Sequence, residues 1–155
     1  MSEQTYLTPE GAEELRRELE QLVNERRPAL AQKLKEAVAQ GDLKENADYH
    51  DTKEQQAFVE GRIQRLENIL RTATIISNNG TTDEVQIGCE VTIREQGSDL
   101  DETYMIVGAA EANPRDGKIS QKSPIGAALM GRRKGDKVRV ETPSGEVIFK
   151  IKRIK

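Results

Sequence analysis

The chain contains no tryptophan, one cysteine and one histidine, and aromatic residues make up 3% of it. Each scarcity removes a class of protein from consideration. A lone cysteine, Cys89, forbids an internal disulfide framework and fits a reducing, cytoplasmic setting. With one Cys and one His, a Cys/His zinc site is excluded by count. Nucleophilic catalysis also lacks its parts, because His50 and Cys89 lie far apart in sequence and no Gly-x-Ser-x-Gly elbow occurs. There is no glycine-rich phosphate loop. No apolar run approaches the roughly 20 residues of a membrane-spanning helix. The opening MSEQTYLTPEG lacks the basic and apolar regions of a secretory leader.

The 155 residues suffice for one domain or two small ones. With 33% charged residues and so few aromatics, an elongated, solvent-rich element beside a small core fits better than one large core. The net charge of −3 argues against non-specific duplex binding, which usually shows as a high domain pI.

What is present divides into two periods. Residues 8–74 read as helix with one interruption. Thr8-Pro9 is an N-cap followed by proline at the first helical position, with Leu7 placed as a hydrophobic staple. Ala12, Leu15, Leu19 and Leu22 recur at spacings of three and four, and Leu30, Leu34 and Ala37 continue after a phase slip near Arg26-Arg27-Pro28. Pro28 removes a backbone donor there, which predicts a mild kink. The helix should end near Gln40-Gly41. A second seam follows through Tyr49, Thr52, Gln56, Val59, Ile63, Leu66 and Leu70, a heptad pattern. Two such helices joined by a short turn predict an antiparallel coiled-coil hairpin over residues 1–75, each arm about 45 Å long at ~1.5 Å per residue. Its tip is the stretch 41–50.

Residues 76–81 read as a linker, rich in Asn, Gly and Thr. Beyond it, CEVTIRE, TYMIVG, KISQ, KVRVET and EVIFKIKRI are strand-like runs. SPIGAALMG, with Ser123 as N-cap and Pro124 at the first helical position, predicts one short helix. The fold class is α+β, with residues 82–155 forming a small antiparallel sheet carrying that helix. Cys89 reads as a small buried hydrophobe. GRRKGD, with Arg132, Arg133 and Lys134, reads as an exposed turn.

The tip, GDLKENADYH, holds more acid than a turn needs. If the second helix starts within DLKEN, Asp42 and Glu45 stand at i and i+3 and face one way. Two neighbouring carboxylates suit a hard divalent cation, and Mg2+ often takes only one or two, completing its shell with waters and phosphates. The same Asp-x-x-Glu spacing also resembles a capping box, and acids in a first turn complement the helix dipole. Lys44 lies at the tip, and Lys35 and Lys53 fall at similar heights on the two arms, where they could frame a small basic spot below it. Tyr49 and Phe58 could stack on bases, but Tyr49 occupies the seam. Arg16-Arg17 and Arg26-Arg27 read as solvated faces or partners of nearby glutamates. His50 reads as a solvated surface residue.

The stretch GDLKENADYHDTKEQQ, preceded by RRPAL and followed by EGRIQRLE, resembles the tip and second arm of the GreA/GreB family of bacterial transcript-cleavage factors. SPIGAALMGRRKGDKV and TPSGEVIFKI resemble that family's carboxy-terminal domain, and the likeness spans essentially the whole chain in the same order. It implies an FKBP-like carboxy-terminal domain that docks on bacterial RNA polymerase, and a coiled coil that enters the secondary channel. It further implies an acidic tip, here Asp42 and Glu45, that helps hold the second catalytic Mg2+ so that the polymerase cleaves its own backtracked transcript near the RNA 3′ end. The factor itself would be a cytoplasmic monomer and not an enzyme. The GreB branch carries GDRSENADYQ and a broad basic patch, whereas here the tip has Leu43-Lys44 and the basic spot is thin. Val38 is apolar where the family often has a basic residue.

Three other functions stay open. A binding-only regulator would fill the same channel, although inhibitory relatives carry a denser aspartate cluster than GDLKEN. A prolyl isomerase needs an aromatic-lined pocket, and only Tyr104 and Phe149 follow the linker. A coiled-coil adaptor would need the hairpin alone and leaves the acidic tip unexplained.

Overall fold

The computed structural model describes residues 4–41, 45–77 and 83–155. Its first helix, α1 (Pro9–Gln21), starts where the sequence places it. Pro9 lacks an N–H that would be unpaired there anyway, and the Gly11 N–H donates to Thr8 Oγ1 at 3.0 Å. The chain continues through a π turn, Leu22–Arg26, into α2 (Arg27–Ala39), and returns as α3 (Ala47–Thr72). The π turn answers Pro28. In a regular α-helix the proline ring would collide with the Asn24 carbonyl. Here the Arg27 N–H instead reaches Leu22 O, five residues back. The interruption read from the phase slip is therefore one inserted residue in a π turn.

The two arms meet along the seam the spacing predicts. Thr52, Val59, Ile63 and Leu66 of α3 are buried, and so are Ala12, Leu15, Leu30 and Ala37 on the other arm. Leu30, Val59 and Ile63 form one cluster, covered by Leu19, Leu22 and Val23 from the turns around the π segment. Fully burying such side chains contributes roughly 1.5–3 kcal/mol each. Polar rungs flank the seam. Arg27 makes a bidentate pair with Glu60 at 2.7 and 2.9 Å, and Arg62 a second with Glu18 at the same two distances.

The other unit gathers residues 4–11 with Ala73–Lys155. Its five strands are β3 (Glu90–Glu95), β4 (Asp101–Val107), β5 (Lys118–Ser120), β6 (Lys137–Thr142) and β7 (Gly145–Ile154), in the spatial order β5-β4-β3-β7-β6. The sheet is mixed where an antiparallel one was expected, because β5 runs parallel to β4. Alternation puts Val91, Ile93, Val138, Val140, Phe149 and Ile151 on the buried face, where Cys89 and Leu129 join them. Leu129 comes from α4 (Pro124–Leu129), whose N-cap Ser123 accepts the Gly126 N–H at 3.0 Å.

Sequence reasoning assigned residues 1–75 to the hairpin, and it had no signal for what holds residues 4–11. Strand β1 (Tyr6–Leu7) pairs in parallel with β2 (Thr74–Ile75), so both roots of the hairpin belong to the sheet unit. The linker read at 76–81 falls largely outside the described residues. A carboxylate completes the root. Glu111, buried, accepts the Thr8 hydroxyl at 2.6 Å and the Thr8 N–H at 3.1 Å. Two glycines leave room at this root, Gly11 for Glu111 and Gly108 for the Tyr6 backbone. A Cβ on Gly11 would stand 2.1 Å from the Glu111 carboxyl carbon, and one on Gly108 would stand 1.8 Å from Tyr6 O.

Two outcomes follow. Gly11→Ala should displace Glu111 from Thr8, losing charge-assisted bonds of roughly 1.5–3 kcal/mol, partly offset by about 1 kcal/mol of better helix propensity. Gly108→Ala meets backbone, which cannot rotate aside, and should destabilise more in urea titration. On the arm, the Arg27 hydrogen bond holds the Glu60 carboxyl below its ordinary value. The pair therefore supports the fold above the unfolded carboxylate's pKa, and that support is lost as pH falls through the depressed one. In an NMR titration Arg27→Ala should move the Glu60 midpoint up, and an unmoved midpoint would refute the pairing.

Candidate functional site

Among the described residues, one side chain bridges the two helix ends at the hairpin tip. Helix ends leave carbonyls unpaired at the C-terminus and N–H groups unpaired at the N-terminus. Asn46 serves both ends at once. Its Nδ2 donates to Ala37 O in the last turn of α2 at 2.7 Å, and its Oδ1 accepts the Tyr49 N–H in the first turn of α3 at 3.1 Å. The Asn46 carbonyl then accepts the His50 N–H at 3.1 Å. Gly41, at φ 115°, turns the chain out of α2 in a conformation that favours glycine.

This geometry decides between two roles for Glu45. The helix starts at Ala47, later than the start within DLKEN that would place Asp42 and Glu45 in one first turn. Asn46 is the cap, so Glu45 precedes the helix and has no part in a capping box. The Glu45 side chain is exposed and makes no hydrogen bond or ion pair with the described residues. Asp48 is the acid in the first turn, where it complements the helix dipole. Asp42, Leu43 and Lys44 lie outside the described residues. Among the described residues no three metal-ligating side chains cluster.

Along the arms, Arg26 donates to Gln55 Oε1 at 2.8 Å and Arg27 is committed to Glu60, so both arginines link the helices. Lys35 and Lys53 are exposed, without an ion pair among the described residues. Lys53 lines a groove with Arg27, Gln56 and Glu60. Val38 is 46% exposed, an apolar patch beside the tip. Tyr49 is half-buried, its ring edge-on to His50 at 5.4 Å, as its seam position demands. Phe58 is 78% exposed and lines a broad groove of about 1290 Å³ beside the π turn. Sequence reasoning missed Asn46, although an Asn three residues before Tyr49 is itself an N-cap signal.

The remaining basic run behaves as a turn. Arg133 pairs with Glu84 at 3.0 Å while its N–H donates to Asp136 at 2.8 Å. Cys89 is fully buried. No helix of the described residues is long and apolar enough to cross a membrane.

Comparison with known proteins agrees with this two-part organisation. The family described as "Transcription elongation factor, N-terminal" matches residues 5–75, and "Transcription elongation factor, GreA/GreB, C-term" matches residues 80–155. Transcription elongation factor GreA of Roseiflexus sp. (strain RS-1) is 48% identical over 147 residues, 94% of each chain. GreA of Geobacillus kaustophilus (strain HTA426) is 48% identical over 150 residues, 96% of this chain and 95% of that one. The crystal structure of GreA factor homolog 1 of Thermus thermophilus aligns over 99% of both chains at 32% identity, with a TM-score of 0.45. With both halves matched in order and close to half the residues shared, the chain belongs to the GreA/GreB family of transcription elongation factors.

Proposed function

We propose that this protein binds bacterial RNA polymerase through its sheet unit, which the family resemblance reads as FKBP-like, and places the hairpin in the secondary channel. There Glu45 and Asp42 stimulate the polymerase's own cleavage of backtracked RNA and so relieve arrest. The single observation that carries this reading is the state of Glu45. It is exposed, unpaired among the described residues and released from capping by Asn46. An acid with no hydrogen bond or ion pair among the described residues is available for a ligand.

The donor set fits a shared Mg2+. Glu45 and Asp42 offer carboxylate oxygens, and an octahedral Mg2+ leaves its other positions to water and to phosphate oxygens of a partner. A Mg2+ held there would lower the pKa of a water and stabilise charge on the leaving oxygen. The chain's own residues perform the rest. Asn46 fixes the start of the helix that Glu45 precedes, and Lys44, Lys35 and Lys53 supply positive charge towards RNA phosphates. The protein acts as a monomer and is no nuclease by itself, since two carboxylates without a closed cage hold Mg2+ weakly.

The test separates ligand from scaffold. Glu45→Gln and Asp42→Asn should each melt within about 0.5 kcal/mol of wild type, as surface substitutions do. Both should still compete for polymerase, yet lose on the order of 10-fold or more of transcript cleavage in a stalled elongation complex. That is the least expected when even an outer-shell partner of a metal ligand is removed. Raised Mg2+ should restore part of it. Asn46→Ala should instead cost about 1 kcal/mol of stability. Near-normal cleavage by both acid variants would overturn the mechanism, and lost competition would overturn the docking assignment.

A further inference from the structure

The whole-chain charge of −3 conceals a local excess of the opposite sign. Residues 131–155 carry nine Lys/Arg against three Asp/Glu. Strand register decides where these charges go. Lys137 of β6 stands directly across from Lys150 of β7, and Lys150 directly across from Arg94 of β3. Three cations thus form a transverse row over three adjacent strands, on the face opposite the core. Strands lie about 4.8 Å apart, so the row spans roughly 10 Å.

A fourth cation is added by an irregularity. Thr92 pairs with Arg153 but Ile93 pairs with Ile151, which leaves Lys152 as the extra residue of a β-bulge. Bulges re-aim side chains. Here Lys152 joins Arg94, Lys137 and Lys150 around a groove of about 170 Å³ that Glu95, Gln96 and Ser98 also line.

The charge is balanced only in part, by Glu95 in the groove lining and by Asp101, which lies near Lys152 as well as Arg94. Arg94 is paired with Asp101 at 2.7 Å, and Arg139 with Glu146 at 3.4 Å. Lys137, Lys150 and Lys152 have no ion pair within 4 Å among the described residues. Like charges directly opposite across an antiparallel pair destabilise a sheet. A solvated edge strand needs a lysine or two, but it does not need lysine facing lysine with arginine as the next neighbour.

We propose that this face of the sheet binds the phosphate backbone of duplex DNA, with Lys137, Lys150 and Lys152 as its phosphate contacts. The occupant follows from what the face has and lacks. Lysines are flexible point charges suited to phosphate contacts that carry no sequence information. Single-stranded nucleic acid is held largely by stacking on aromatics. The two aromatics of the sheet, Tyr104 and Phe149, belong to the core side, so the face offers no platform for bases. The site lies on the sheet unit and does not depend on the tip chemistry.

Fluorescence anisotropy of a labelled 20-bp DNA duplex with the full-length protein, across a salt series, tests this. Wild type should bind with a steep salt dependence. Lys137→Gln together with Lys150→Gln should flatten the slope of log K against log salt by about 2, at ~0.9 per phosphate contact. At 0.1 M salt the affinity should fall on the order of 10- to 100-fold. The same double variant should melt no lower than wild type, because it removes an opposed like-charge pair. Lys33→Gln, an exposed lysine on the hairpin, should leave the affinity unchanged. The proposal is overturned if the double variant binds duplex like wild type, if it melts lower, or if Lys33→Gln weakens binding equally. It is also overturned if a single strand or a poly-glutamate peptide binds more tightly than the duplex. Loss of polymerase competition with duplex binding intact would likewise overturn it, by making the row a protein-docking surface.

Discussion

Glu111 reaches back from the loop after β4 to accept two hydrogen bonds from Thr8, and this contact, with the two-residue ladder beside it, anchors the root of the hairpin. The ladder is parallel. Strand β1 leads within two residues into α1, and α3 ends two residues before β2, so the chain leaves the root and returns to it at this ladder. A carboxylate beside the first turn of α1 also complements the helix dipole. The hydroxyl of Thr8 does double duty, donating to Glu111 and accepting from Gly11, which makes one short relay of the cap and its anchor. Gly11 and Gly108 are small because the relay and the Tyr6 backbone occupy the space a side chain would need.

From that root the arms must stay in phase for about seven helical turns, since α3 alone runs 26 residues at 3.6 per turn. Pro28 threatens this, and the π turn before it absorbs the mismatch by one residue. Leu30 then re-enters the seam against Val59 and Ile63. The bidentate pairs Glu18–Arg62 and Arg27–Glu60 fall on either side of the widened turn. Exposed pairs contribute little free energy each. Their bidentate geometry still restricts how one arm can slide along the other, which matters most where the helix is irregular.

Legibility in the sequence tracks the range of the interaction. The helices, both seams, the caps at Thr8 and Ser123 and the alternating strands were all readable, because each is a short-range pattern of period 3.6 or 2. Strands β1 and β2 were not, since two residues have no period. Glu111 was invisible because its partner lies 103 positions away. At the tip the residue types were legible but the roles were not. Asp42 and Asn46 are both good caps, and only the position at which α3 begins chooses between them. The cationic row was hidden twice over, by a net negative total and by cross-strand register, which places residues 137, 150 and 94 side by side.

The tip divides its labour between neighbouring residues. Asn46 bonds one group at each helix end while carrying no charge, and the acid beside it makes no hydrogen bond or ion pair among the described residues. If Glu45 were the cap, its carboxylate would be committed to backbone N–H groups, and any ligand would have to compete with the helix for the same oxygens. Capping strength and ligand availability would then trade against each other. Placing the cap one residue later removes the conflict. A carboxylate can then stay solvated until a partner's phosphates and cation arrive, and its removal is felt in chemistry before it is felt in stability. The sheet shows the reverse arrangement. There Lys137 and Lys150 face each other at a cost to the fold that a bound polyanion would offset.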